Sequence, residues 1–472
     1  MPRHRPRRAS GPLRALRGVL GVVAGLAVLL AGCRSSERAA PEPGGATPAP
    51  GSAAPDPSSL RPDWRALTLP TPLGAPGRLL LRDAAACGGR WFVVGAVADA
   101  AGVTRPAAWS SPAPASSPAA PPSAASTAPG GAGFAWSPLR LTPRTAYGAE
   151  NVLTAVGCRD GRLAAVGAKS GGVHGNPRIS TWRQLTDGSV VEVPAEFEVF
   201  GGPDAVNVGR IAGGPAGWVI AGNRGTGAAA WSSADAGEFR LVSGVPELAS
   251  DAAGRTWAAD VTATASGWVL VGSVRAPGRP GGDPAVWTSP DGLGWRRQVF
   301  PAGDAPGDLQ RVVRAGERLV AVGRRGDALA AWVRDAAAVG DPSGAAAGGG
   351  QPVGPSGAGS ATAGPGAAGP NAAGWRPGGA LGPAAAGGSV QVAGLAAVDG
   401  GVLAVAVAAA GSSAWFSADG GGWAPVRLPV ALAAAPDRSV AVAGAGGEVL
   451  LLVDGGAEGA RLWSARLPGG PG

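Results

Sequence analysis

The chain repeats itself, and that repeat limits what it can fold into more than any other feature. A short apolar run, in most units closed by glycine, is followed by a loop, a small residue and a tryptophan. The runs fall at 91–95, 163–167, 218–222, 268–272, 319–323, 402–406 and 449–453. The matching tryptophans are Trp109, Trp182, Trp231, Trp287, Trp332, Trp415 and Trp463, spaced 73, 49, 56, 45, 83 and 48 residues apart. Runs this short, bounded by Gly and Asp, suit buried strands; helices would be longer and would carry a 3.6-residue apolar stripe.

Two of the spacings are outsized, and each contains a low-complexity insert, at 112–133 (22 residues) and 340–374 (35 residues). Without them 73 becomes 51 and 83 becomes 48, so the period settles at 45–56 residues. Propeller blades of four strands repeat at about 40–50 residues, which makes an all-β, seven-bladed β-propeller the expected fold. Each unit then reads as strands A to D: B is the apolar run, C surrounds the tryptophan, A precedes B and D follows a tight turn. The last unit stops after its strand C at 462–467, with no strand D. Near the other terminus, Trp64-Arg65-Ala66-Leu67-Thr68-Leu69-Pro70 parallels the strand D sequences at 295–301 and 423–429. This N-terminal strand is expected to complete blade seven, closing the ring and removing open sheet edges.

Three C-to-D turns share a pattern: Ser289-Pro290-Asp291-Gly292, Ser417-Ala418-Asp419-Gly420 and Ser233-Ala234-Asp235-Ala236, followed by Trp295, Trp423 and Phe239. They resemble the Asp-box of sialidase-like (BNR) propellers, one residue shorter between Asp and the aromatic than the usual form. A carboxylate there can accept N–H groups of its own turn while glycine takes the left-handed position. In the resembling family these boxes lie opposite the active site, so the resemblance implies a fold and leaves function open.

Six arginines by residue 17, an uncharged run over 18–30 and small residues before Cys33 make the three parts of a secretory signal. The run is short for a membrane span. Leu30-Ala31-Gly32-Cys33 resembles the lipobox of bacterial lipoproteins. That resemblance implies cleavage of residues 1–32 and a diacylglyceryl group on Cys33, whose two acyl chains hold the protein on the outer face of the bacterial cytoplasmic membrane. Residues 33–62, rich in Ala, Pro, Gly and Ser, read as a disordered tether, and 63–472 as the propeller. Taking the six signal arginines from the formal charge of +8 leaves +2, so nucleic acid is not an expected partner.

With Cys33 acylated, Cys87 and Cys158 remain, ending the A strands of neighbouring blades one and two. Outside the cytoplasm such a pair is expected to form a disulfide; two buried thiols are the alternative.

Loop length is the asymmetry that bears on function. From the end of run B to the tryptophan, blades one, two and four span 14, 15 and 15 residues against 9 or 10 elsewhere. These loops carry Arg105, Lys169, His174, Arg178, Arg275 and Arg279 against Asp99 and Asp283. They form a candidate basic rim for an acidic glycan, peptide or lipid headgroup, with solvated surface charge as the plain alternative. An enzyme of the sialidase type needs an arginine cluster, a Tyr nucleophile with a Glu partner and an acid/base Asp. The single tyrosine, Tyr147, stands near Glu150, but no Phe-Arg-Ile-Pro-like arginine motif occurs. His174 is the one histidine after the signal, and no metal, phosphate-loop or dinucleotide pattern is convincing. The expectation is a monomeric, lipid-anchored propeller without cofactor or metal. It would act as a non-catalytic binding or scaffold module for an envelope protein or polysaccharide. The alternative is a divergent sialidase-like exo-glycosidase, which requires Tyr147 and Glu150 to face the central funnel.

Overall fold

The computed structural model describes residues 59–113, 134–171, 177–300, 305–339, 374–383 and 390–468. Cys33, the signal and tether through residue 58, His174 and nearly all of both inserts lie outside the described residues. Pro112, placed in the first insert by its composition, ends a strand.

Seven antiparallel sheets stand around a common axis. In blade one the strands are Arg78–Cys87 (A, innermost), Arg90–Ala98 (B), Thr104–Pro112 (C) and Ser137–Pro138 (D). The apolar runs are the B strands, sandwiched between neighbouring blades: Val93, Val166, Ile220, Leu270, Val322, Leu403 and Leu451 are all fully buried. Blade seven consists of Ser439–Ala445, Glu448–Asp454 and Ala460–Arg466, completed by the N-terminal strand Arg65–Leu67. Arg65 lies opposite Ser464 and Leu67 opposite Leu462, as the parallel between the D sequences predicts. The latch reaches further back than the expected boundary at residue 62. Leu60 bridges Val426 of blade six and donates its N–H to Pro425 O at 2.8 Å, and Trp64 Nε1 donates to Arg427 O at 2.8 Å. One segment thus staples blade six to blade seven. Blade two departs from four strands: Leu141–Thr142, on the way out of the two-residue strand D of blade one, pairs parallel with Val190–Val193 and covers that outer edge.

The glycine that closes most apolar runs has a packing cause. In blades one to six strand A carries a β-bulge, as between Leu81 and Asp83 or Ala258 and Asp260. The bulge presses a strand A carbonyl onto strand B. A Cβ on Gly95 would stand 1.8 Å from Leu80 O, one on Gly272 1.9 Å from Trp257 O, and one on Gly323 1.9 Å from Asp308 O. The strand C tryptophans have a matching cause. Three of them bury the ring and use the indole N–H to hold the D-to-A connection entering their own blade: Trp109 donates to Pro70 O at 2.7 Å, Trp231 to Val199 O at 2.5 Å and Trp287 to Glu247 O at 2.7 Å.

Antiparallel pairing puts the A-to-B and C-to-D turns on one face of the ring and the B-to-C and D-to-A connections on the other. On the first face, Asp291 Oδ1 accepts N–H groups of Leu293 (2.8 Å) and Gly294 (2.9 Å), with Gly292 at φ 73°. Asp419 accepts Gly421 N–H at 2.7 Å, with Gly420 at φ 81°. In the third turn Ala236 takes the same left-handed position, φ 60°, at a cost of about 1–2 kcal/mol. The Cys87–Cys158 disulfide lies on this face too, joining the inner strands of blades one and two with Cα atoms 5.8 Å apart.

Candidate functional site

On the opposite face, strands A of blades two to six enclose a cavity of about 660 Å³. Its geometry follows from the bulges. In blades three to six the residue two places before the bulged one lines this cavity, and these are Asn207, Trp257, Asp308 and Gln391. They form an arc. Trp257 is 46% exposed, whereas every other tryptophan of the sixteen is buried or partly buried. Asn207 Oδ1 accepts Asn223 Nδ2 at 2.8 Å, which leaves the Asn207 amide N–H groups for the cavity. Asp308 is clamped by Arg324, whose Nη2 and Nε donate to Oδ2 at 2.8 and 3.1 Å, and by Gln310 Nε2 at 3.0 Å.

Deeper along the same strands four charges close the channel. Arg210 Nη1 donates to Asp83 Oδ1 at 2.7 Å across the ring, and Asp83 Oδ2 accepts Val156 N–H at 2.9 Å. Asp260 Oδ2 accepts Val312 N–H at 3.0 Å. Arg210 and Arg311 both reach Ala393 O, at 3.3 Å. Burial, and then the neighbouring Arg210 charge, pull the Arg311 guanidinium down to about 10, against the attraction of Asp260 and Asp83. Arg210 is shifted the other way because Asp83 faces it directly. Burial raises the Asp260 carboxyl despite Arg311 and Arg210. This plug ties blades one to six together and forms the floor beneath the arc.

The residues singled out from the sequence lie on this face but not in one place. Lys169 and Arg178 are cross-strand partners in blade two. Lys169 Nζ pairs with Glu150 Oε2 at 2.8 Å. Arg178 is sandwiched by two exposed rings, its Cζ 5.5 Å from the Tyr147 centroid and 4.7 Å from that of Phe197. Arg279 Nη2 meets Asp283 Oδ1 at 3.3 Å, and Arg275 binds carbonyl oxygens of Arg279 and Pro280 in its own loop. Arg105 Nη1 donates to Gly74 O at 2.8 Å. Five of the six candidates are thus described, and they sit on three blades, each engaged by a carboxylate, a carbonyl or an aromatic face. Tyr147 lines a separate hollow of about 180 Å³ beside Arg178 and Phe197. Its loop is pinned by buried Glu192, which accepts Arg144 N–H at 2.6 Å and Thr145 N–H at 2.8 Å. Neither Tyr147 nor Glu150 lines the central cavity.

The arc and the plug lie outside the residues singled out from the sequence. The signal was there in the chemistry-bearing residues that precede each apolar run, but the bulge displaces them by one place and their types differ from blade to blade.

No family model matches the chain, and no curated protein sequence does. Among solved structures it is similar to the β-propeller domain of the Trilobed protease from Pyrococcus furiosus, with 10% identity, a TM-score of 0.42, and coverage of 82% of this chain and 93% of that one. The Myceliophteria thermophila Cps50 (Swd1) propeller matches at 11% identity and a TM-score of 0.45, over 86% and 99%. A glycosyl hydrolase from Bacteroides ovatus matches at 11% identity and a TM-score of 0.29, over 55% and 85%. Likeness this distant concerns architecture alone.

Proposed function

We propose that this chain is an extracytoplasmic, lipid-anchored binding propeller, tethered through Cys33 and offering its cavity face to an envelope protein or polysaccharide without doing chemistry on it. The observation that carries the reading is the arc of Asn207, Trp257, Asp308 and Gln391 around an open cavity, where a large aromatic and polar side chains converge on one hollow. Such a mixture of an apolar surface and a few fixed polar groups is what ligand sites are made of. The N-terminal strand runs from the Ser464 level toward the Leu462 level, so the chain enters the ring from the face bearing the C-to-D turns, opposite the cavity.

The test is photo-cross-linking in intact cells, with a photoreactive residue at Arg275 on the cavity face or at Asp419 on the opposite face. Capture from Arg275 and none from Asp419 is expected; capture from Asp419 alone contradicts the reading. Replacing Cys33→Ala is expected to release the protein from membranes, and continued retention would remove the lipid anchor from the account.

A further inference from the structure

We infer that the mouth arc is a saccharide site whose ligand is an uncharged pyranose, stacked on the indole of Trp257. This rests on the reading of the cavity face as the ligand face and adds the ligand's chemistry. Three observations point the same way. First, exposing an indole costs solvation, and of sixteen tryptophans Trp257 is the one exposed, at the rim of a hollow. A sugar ring has an apolar C–H face that covers an indole while its hydroxyls stay polar, the combination for which an aromatic with one wet side is suited. Second, the arc holds two planar amides with spare hydrogen-bonding capacity, Asn207 on the blade next to Trp257 and Gln391 two blades away. Asn207 has its oxygen held by Asn223, and Gln391 makes no side-chain hydrogen bond among the described residues. The fixed Arg324–Asp308 fork adds a donor and acceptor pair. Hydroxyl groups, which donate and accept at once, satisfy such a set.

Third, the charges cancel. Arg210 is matched by Asp83 at 2.7 Å, Arg324 by Asp308 at 2.8 Å, and Arg311 lies in the field of Asp260. A cavity with three arginines therefore offers no surplus positive charge, which disfavours a carboxylate or phosphate as the group recognised. The volume of about 660 Å³ falls within the ~300–1,000 Å³ of small-molecule pockets, enough for a short oligosaccharide. A flat protein surface would leave the hollow unfilled.

The test uses the full-length lipoprotein in a detergent without a sugar headgroup. Chitotetraose, cellotetraose, maltotetraose and the acidic trigalacturonate are titrated in turn, read by calorimetry and by iodide quenching of tryptophan fluorescence. At least one uncharged oligosaccharide is expected to bind saturably and to shield Trp257 from iodide, with trigalacturonate at least tenfold weaker. Trp257→Ala is expected to weaken that binding at least tenfold with unfolding unchanged, and Asn207→Ala or Gln391→Ala several-fold. The inference is overturned if none of the uncharged oligosaccharides binds, if trigalacturonate binds best, or if Trp257→Ala binds as the parent does. Should it fall while Arg275 still captures an envelope protein in cells, the ligand-face reading stands and only the sugar chemistry is lost.

Discussion

Gly272→Ala puts the link between the bulges and the cavity to a direct test. Gly272 does not sit in the left-handed region, so the added methyl brings no backbone strain and would by itself favour a strand by about 0.5–1 kcal/mol. The cost is steric. The new Cβ would lie 1.9 Å from Trp257 O, 2.9 Å from its carbonyl carbon and 3.1 Å from Ala258 Cα. These are backbone atoms that cannot rotate away, so the bulge must shift by about 1 Å or more, an overpacking that typically costs 1–3 kcal/mol. The shift also moves Asp260, next along the bulge, from Val312 N–H at 3.0 Å, a charged hydrogen bond worth about 1.5–3 kcal/mol. The net expectation is a loss of about 3 kcal/mol. Gly422→Ala is the control: nothing lies within 4 Å of its Cβ, and its effect should stay within about 0.5 kcal/mol. Denaturant unfolding followed by tryptophan fluorescence gives both values. A Gly272→Ala loss below about 1 kcal/mol, with iodide access to Trp257 unchanged, would refute the packing argument.

Removing the disulfide with Cys87→Ser and Cys158→Ser together should cost about 4 kcal/mol, from the loop entropy of a 71-residue separation; equal unfolding midpoints in the parent and the double variant would count against it. Leu69→Ala, which empties a site only 7% exposed beside the latch, should cost about 2–3 kcal/mol, and deleting residues 60–69 should lower the midpoint of the whole ring in one cooperative step; an unchanged midpoint would mean that closure contributes nothing. In Asp419 the Gly421 N–H holds the carboxyl below 3.8, and in Asp291 the Gly294 and Leu293 N–H groups do so against a larger opposing burial effect. A depressed folded-state value contributes stability that is full above the unfolded value and lost as pH falls through the folded one. Asp291→Asn should therefore be less stable than the parent at neutral pH, and the gap should narrow below pH 3.8; a gap that widens in acid would reverse the sign.

What could be read from the sequence is what backbone geometry forces into one residue type. In blades one, three, four and five a strand A carbonyl leaves no room for a Cβ on the glycine ending strand B, and in blades one, three and four the strand C tryptophan holds the incoming connection by its N–H. Both leave a period, so blade number and closure were visible. Strand D of blade one is only Ser137–Pro138, too short to carry a pattern, and the parallel strand Leu141–Thr142 has no counterpart among the described residues of the other blades. The arc was hidden for the opposite reason: Asn207, Trp257, Asp308 and Gln391 share a position and nothing else, and only the register aligns them. In blade two the charges of the long loop find partners in other segments. Glu150, which takes Lys169, and Tyr147 and Phe197, which take Arg178, belong to D-to-A connections that spacing alone does not bring near.

The most direct measurement is hydrogen exchange on the full-length protein, compared between the membrane fraction in which the proposed anchor would hold it and the purified protein in detergent. The account predicts extra protection in the native membranes at the cavity ends of strands A, over 205–210, 255–260, 307–311 and 391–394, with the C-to-D turns at 289–295 and 417–423 unchanged. Equal exchange at the strand A ends, with protection at those turns, would contradict it.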